Sequence, residues 1–140
     1  MKKHGNAFNG EQVSAQASLD YFNQKLACET DCSDVYQDII NNDKDYYLLD
    51  VRSPEAYAKS HATSAINLPH AEINAQSMQE YPIDSQFVVY CWGPGCNGAS
   101  KAAAKLSALG FRVKEMIGGI HYWEDFERYP VKRRSNQAQS

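Results

Sequence analysis

Apolar residues follow two rhythms along this chain. In the N-terminal third they recur three and four positions apart, first as Leu19, Phe22 and Leu26 and then as Val35, Ile39 and Ile40. That is the spacing of one face of an amphipathic helix. Ser33 is a suitable N-cap for the second helix, and Asn41-Asn42-Asp43 ends it. From Tyr46 onward short apolar runs alternate with polar turns. Tyr46-Tyr47-Leu48-Leu49-Asp50-Val51 reads as a strand buried on both faces. Ser53-Pro54-Glu55 restarts the chain as a helix, because Ser caps, Pro fits the first turn and Glu suits the positive end of the helix dipole. Ala65-Ile66-Asn67-Leu68 reads as a strand stopped by Pro69, and Phe87-Val88-Val89-Tyr90 is the clearest strand of all. Ala99, Ala102, Ala103, Leu106 and Leu109 mark a helix whose small residues allow close packing on a sheet, closed by Gly110. Phe111 to Met116 supplies another strand, Gly118-Gly119 a turn, and Ile120 to Phe126 a last short helix.

Strands alternating with helices predict an α/β fold with a parallel sheet covered on both faces. The chain divides into a flexible segment over residues 1–15, N-terminal helices over 16–44 that pack on the domain, an α/β domain over 45–131, and a polar tail over 132–140. In such sheets the ligand site lies beyond the carboxyl ends of the strands, where loops lead into helix N-termini.

A length of 140 residues suits one well-buried core, and 43% hydrophobic with 22% charged residues is ordinary for a globular protein. No apolar run approaches the roughly 20 residues that cross a bilayer. Met1-Lys2-Lys3-His4-Gly5-Asn6 leads into no apolar stretch of the secretory type, so a cytoplasmic address is expected. The net charge of -3 gives no general attraction to nucleic acid or to an anionic membrane. Lys132-Arg133-Arg134 reads as part of the solvated tail. Four cysteines in a reducing compartment are expected as thiols rather than structural disulfides. Neither Cys28/Cys32 nor Cys91/Cys96 has the C-x2-C spacing of a zinc knuckle, so no metal is expected.

Only one loop has chemistry that matches the expected site: Cys91-Trp92-Gly93-Pro94-Gly95-Cys96-Asn97-Gly98-Ala99-Ser100. It leaves a buried strand at Cys91 and enters a helix at about Gly98, so its backbone N–H groups can converge into an anion-binding nest. A thiol at the rim of such a nest is acidified toward the thiolate. The same amides stabilise the negative terminal sulfur of a persulfide.

The sequence resembles the single-domain rhodanese-like family. The resemblance runs through Leu49-Asp50-Val51-Arg52-Ser53-Pro54-Glu55, the segment His61 to Pro69, Val88-Val89-Tyr90-Cys91, and Ile117-Gly118-Gly119-Ile120 with Trp123. It implies a fold of about five parallel strands flanked by helices on both faces. It also implies sulfurtransferase activity with Cys91 as the persulfide carrier, a small sulfane-sulfur donor and a thiophilic acceptor, which a protein could also provide. No cofactor is implied. Three features depart from the family pattern. The loop after Cys91 is about two residues longer, and it places Cys96 in the same nest as an alternative or second thiol. Its side chains are uncharged up to Lys101, which predicts weak binding of a small dianion such as thiosulfate and favours a larger persulfide donor. Ser64 stands where the family usually has Gly.

Asp50 and Arg52 flank a strand end and are expected to bond each other or support the loop. Trp92 is either a wall of the pocket or an exposed loop aromatic, and His61 and Trp123 read as structural. Cys28 and Cys32 read as ordinary packing. Cys91 and Cys96 together suggest that a persulfide on one is attacked by the thiolate of the other, releasing sulfide. The competing reading is a non-catalytic rhodanese-like module that binds a partner or senses sulfur or redox state. Phosphoryl transfer, which a similar loop supports in cysteine phosphatases, lacks its clamping Arg between Cys91 and Ser100.

Overall fold

Successive residues of a strand face opposite sides of its sheet. In a computed structural model of the protein, which describes residues 5–134, that alternation sorts the apolar runs into two cores. Leu49, Val51, Phe87 and Val89 pack on one face with Ala99, Ala102 and Leu106. Leu48, Val88 and Tyr90 pack on the other with Cys32, Val35 and Trp123. Burial on both faces explains why these runs are apolar throughout rather than alternating.

The strands are β1 (Glu29–Asp31), β2 (Tyr47–Asp50), β3 (His61–Ala62), β4 (Ile66–Asn67), β5 (Gln86–Tyr90), β6 (Arg112–Ile117) and β7 (Val131–Lys132). Five of them form one sheet in the order β1-β6-β5-β2-β4, with every neighbouring pair parallel. The remaining two, β3 and β7, pair antiparallel beside it. Helices α1 (Ala15–Cys28), α2 (Cys32–Ile40), α3 (Pro54–Lys59) and α4 (Gly98–Ala108) connect the strands, and the short helix expected over Ile120 to Phe126 is a π-helical turn over His121–Phe126. The α/β fold with its five-stranded parallel sheet flanked by helices is the one the sequence predicts.

Local signals held where they were strongest. Ser53 accepts the Ala56 N–H and Pro54 opens α3. Gly110, at φ 95°, closes α4. Other details differ. The fifth strand is β1, three residues with no apolar pattern that become a strand by pairing with β6, Thr30 opposite Met116. The N-cap of α2 is Asp31, which accepts the Asp34 N–H at 2.8 Å, rather than Ser33. Helix α1 forms, yet it buries no residue, and Leu19, Phe22 and Leu26 are each more than half exposed. Ser64 adopts φ 74° between β3 and β4, the left-handed region that explains a preference for Gly there. Residues 1–4 of the expected flexible segment and 135–140 of the expected tail lie outside the described residues.

Candidate active site

The middle strand β5 runs between β2 and β6 and delivers Cys91 at its carboxyl end. The backbone there is held from across the sheet end. The carbonyl oxygens of Cys91 and Trp92 accept the N–H groups of Ile120 at 3.1 Å and His121 at 2.8 Å. That approach needs the Gly118-Gly119 turn, whose residues have φ of 89° and 61°. A Cβ on Gly119 would stand 2.8 Å from the carbonyl carbon of Trp92, closer than any side chain can come to a fixed backbone.

The loop then folds Cys96 back onto Cys91. Its N–H donates to Gly93 O at 3.0 Å, and a disulfide joins the two cysteines across a Cα–Cα distance of 6.5 Å, within the usual range for such a bridge. This corrects the expectation that all four cysteines are thiols; the expectation considered compartment and not the turn that brings residues 91 and 96 together. Helix α4 starts at Gly98, and the Gly98 N–H points to Cys96 Sγ at 3.5 Å. Gly98 also leaves space that a side chain would fill. A Cβ there would lie 2.9 Å from Cys91 Sγ, 3.3 Å from His70 Cδ2 and 3.5 Å from Cys96 Sγ. His70 thus packs against the sulfur pair, a placement no sequence spacing announces.

Both sulfur residues line a cleft of about 480 Å³ at the carboxyl ends of β5 and β6, walled in part by Pro94, Ile117 and Tyr122. Its charged lining is mainly acidic: Asp31, Glu115 and Glu127 against Lys25, whose Nζ is held by Glu29 Oε1 at 2.6 Å. Ser100 Oγ donates to Glu115 Oε1 at 2.6 Å. The loop provides no cation to this cleft, as its uncharged side chains predict.

Cys32 lines the same cleft, which sequence reasoning did not anticipate. It is buried and its S–H faces the carbonyl oxygens of Ile117 and Gly119, each at 3.7 Å. Burial pushes its pKa up to about 12, which keeps it a neutral thiol. Cys28 is exposed and lies outside the cleft.

The other predicted residues separate from the sulfur pair. Trp92 is 53% exposed, stacks on His121 with ring centroids 5.1 Å apart, and borders a different hollow that it shares with Arg52. Gly95 has open space around its Cα, and Asn97 flanks α4 without a side-chain cap. Asp50 and Arg52 bond each other rather than the loop. The fully buried Asp50 carboxylate receives Arg52 Nε at 3.0 Å and its NH2 group at 2.7 Å, and the same NH2 group reaches Ser60 O at 2.5 Å. Burial, together with the Asp50 carboxylate, raises the pKa of Tyr90 well above that of a free phenol, and its hydroxyl accepts the Ala62 N–H at 3.0 Å. This network ties β2, β3 and β5 together behind the site. His61 stacks on Tyr57, and Trp123 is fully buried with its Nε1 on Pro130 O. Among the described residues no cluster of three or more His, Cys, Asp or Glu could hold a metal ion, and no helix is long and apolar enough to cross a membrane.

The Rhodanese-like domain family model matches residues 33–126. The thiosulfate sulfurtransferase GlpE of Pseudomonas entomophila is 30% identical over a match covering 66% of this chain and 81% of that protein. For thiosulfate sulfurtransferase 16, chloroplastic, of Arabidopsis thaliana the values are 34%, 54% and 71%. The adenylyltransferase and sulfurtransferase UBA4 of Candida albicans is 32% identical, but the match spans only 22% of its length. Among solved structures, the BH2092 protein of Bacillus halodurans superposes with a TM-score of 0.81 at 40% identity, covering 86% of this chain and 88% of that one.

Proposed function

The chain belongs to the rhodanese-like domain family, and from that premise we propose that it is a sulfurtransferase carrying sulfane sulfur on Cys91. The observation that supports this best is the position of Cys91: the first residue after the central strand, beside the N-terminus of α4, and open to a cleft large enough for a small thiol compound. In the reduced protein the Cys91 thiolate attacks the outer sulfur of a persulfide donor, the donor leaves as its thiolate, and Cys91 becomes a persulfide. A second nucleophile, cyanide or a thiol, then removes that sulfur. The positive end of the α4 dipole, which starts at Gly98 beside the sulfur pair, stabilises the anionic sulfur in both states.

The acidic lining selects among donors. Thiosulfate carries two negative charges and would meet three carboxylates and a lysine already paired with Glu29. A thiol persulfide brings less charge density and fills more of the cleft. Purified, pre-reduced protein should therefore form thiocyanate from cyanide with glutathione persulfide at a kcat/KM at least about tenfold above that with thiosulfate, a difference of about 1.4 kcal/mol. Cys91→Ala should abolish both. Failure of turnover with either donor would favour a second reading, a binding or redox-sensing module. The bridge that closes over Cys91 supports that alternative, and one relative, the HTH-type transcriptional regulator Rv0324 of Mycobacterium tuberculosis, is 37% identical over a match spanning a third of its length.

A further inference from the structure

We propose that Cys96 resolves the Cys91 persulfide, so that the protein reduces sulfane sulfur to hydrogen sulfide and closes the Cys91–Cys96 bridge in each cycle. The proposal rests on the persulfide reading of Cys91 and adds to it a second half-reaction and a thiol reductant as a further substrate.

Four observations support it. Cys96 is already within bonding reach of Cys91, with the loop turned back by the Cys96 N–H to Gly93 O bond and no rearrangement of a strand or helix required. The Gly98 N–H faces Cys96 Sγ, so the attacking thiolate has an amide partner of its own. Gly98 has no side chain at the point where both sulfurs converge, which keeps room for the sulfur pair to form and break. Cys32, the other thiol of the cleft, faces two carbonyl oxygens, and its raised pKa keeps it protonated; it does not compete for the persulfide.

The Cys96 thiolate attacks Cys91 Sγ, the Sγ to Sγ bond forms, the bond from Cys91 Sγ to the outer sulfur breaks, and that sulfur leaves and takes a proton from water as hydrosulfide. The sulfane sulfur has been reduced by two electrons and the two cysteines oxidised by two. A first molecule of thiol then attacks the bridge. Cys91 is only 8% exposed, whereas Cys96 is the more open of the pair. The incoming thiol therefore bonds to Cys96 Sγ and expels Cys91 as the thiolate beside α4, the form that accepts the next sulfur. A second thiol attacks the mixed disulfide, leaves as the oxidised reductant, and restores Cys96. The sum is one persulfide and two thiols giving one thiol, one hydrogen sulfide and one disulfide.

The test uses the full chain, reduced and kept anaerobic, mixed with glutathione persulfide after removal of free thiol. Wild type should release about one sulfide per chain in a single burst and lose about 2 Da, the two protons of the bridge. Cys96→Ser and Cys96→Ala should instead hold a stable adduct of about 32 Da and release at least about tenfold less sulfide. Cys28→Ser, at an exposed thiol outside the cleft, should behave as wild type. If wild type retains the 32 Da adduct without losing 2 Da, the resolving role is overturned while the persulfide reading stands. If no form gains sulfur and none releases sulfide, the persulfide reading fails as well, and the proposal with it.

Discussion

Two cysteines that face one cleft differ in what surrounds them. Cys91 lies beside the N-terminus of α4 and bonds to Cys96, while Cys32 opens α2, is buried, and faces the carbonyl oxygens of Ile117 and Gly119 with the Asp31 and Glu127 carboxylates acting on it. Burial, together with the carboxylates of Glu127 and Asp31, favours the protonated thiol. The Cys32 pKa rises from 9.0 to about 12, so between those values the folded chain holds a proton that the unfolded chain has lost. Its contribution to stability is complete below pH 9.0 and declines as pH climbs toward about 12. Urea denaturation of wild type and Cys32→Ala across this range should show the stability gap between them narrowing above pH 9.0, and a gap independent of pH would refute the assignment. Cys91 was legible because its signal is local: a β-rich run, then a Gly-rich loop, then a helix. Cys32 was not, because its environment is made by Ile117 and Gly119, which are remote in sequence and reach it only through the pairing of β1 with β6.

At the scale of elements, the Gly118-Gly119 turn and the loop after β5 act as one unit. Two backbone hydrogen bonds join them, and Gly119 supplies both the left-handed φ and the missing side chain that let them meet. Gly119→Ala meets the backbone of Trp92 rather than a flexible side chain, so the neighbour cannot step aside cheaply. We expect a loss of stability of about 1–3 kcal/mol together with a fall in sulfur transfer, because the displaced strand end carries Cys91. Thermal melting and thiocyanate assays read the two effects. Unchanged melting and unchanged turnover would show that the loop does not depend on this turn. Element signals were readable where a few adjacent residues determine them, as with Ser53-Pro54 at α3 and Gly110 at the end of α4. They failed where partners decide. Glu29-Thr30-Asp31 has no strand pattern of its own, and the apolar spacing of α1 suggested burial that the fold does not provide.

The whole molecule raises the question of where its folding unit begins, since the sequence suggests Asp45 and the sheet starts earlier. Strand β1 covers the outer edge of β6, and α2 contributes Cys32 and Val35 to the second core with Leu48, Val88 and Trp123. By contrast α1 buries no side chain, and Lys114 Nζ to Leu26 O at 3.3 Å is a weak tie between it and β6. A chain starting at Glu29 should therefore melt within about 3 °C of the full chain. A chain starting at Asp45 exposes the edge of β6 and removes two buried side chains. Each is worth on the order of 1.5–3 kcal/mol, a large part of the stability of a domain this size. We expect it to melt at least about 10 °C lower or fail to fold. Equal melting of all three chains would instead place the start at Asp45 and reduce residues 29–44 to a cover. The difference bears on the chemistry too, because Asp31, Cys32 and Ser33 form one wall of the sulfur cleft. If the unit begins at Glu29, the shorter chain should retain its preference for glutathione persulfide over thiosulfate, since only Lys25, already held by Glu29 in the full chain, is lost from the lining.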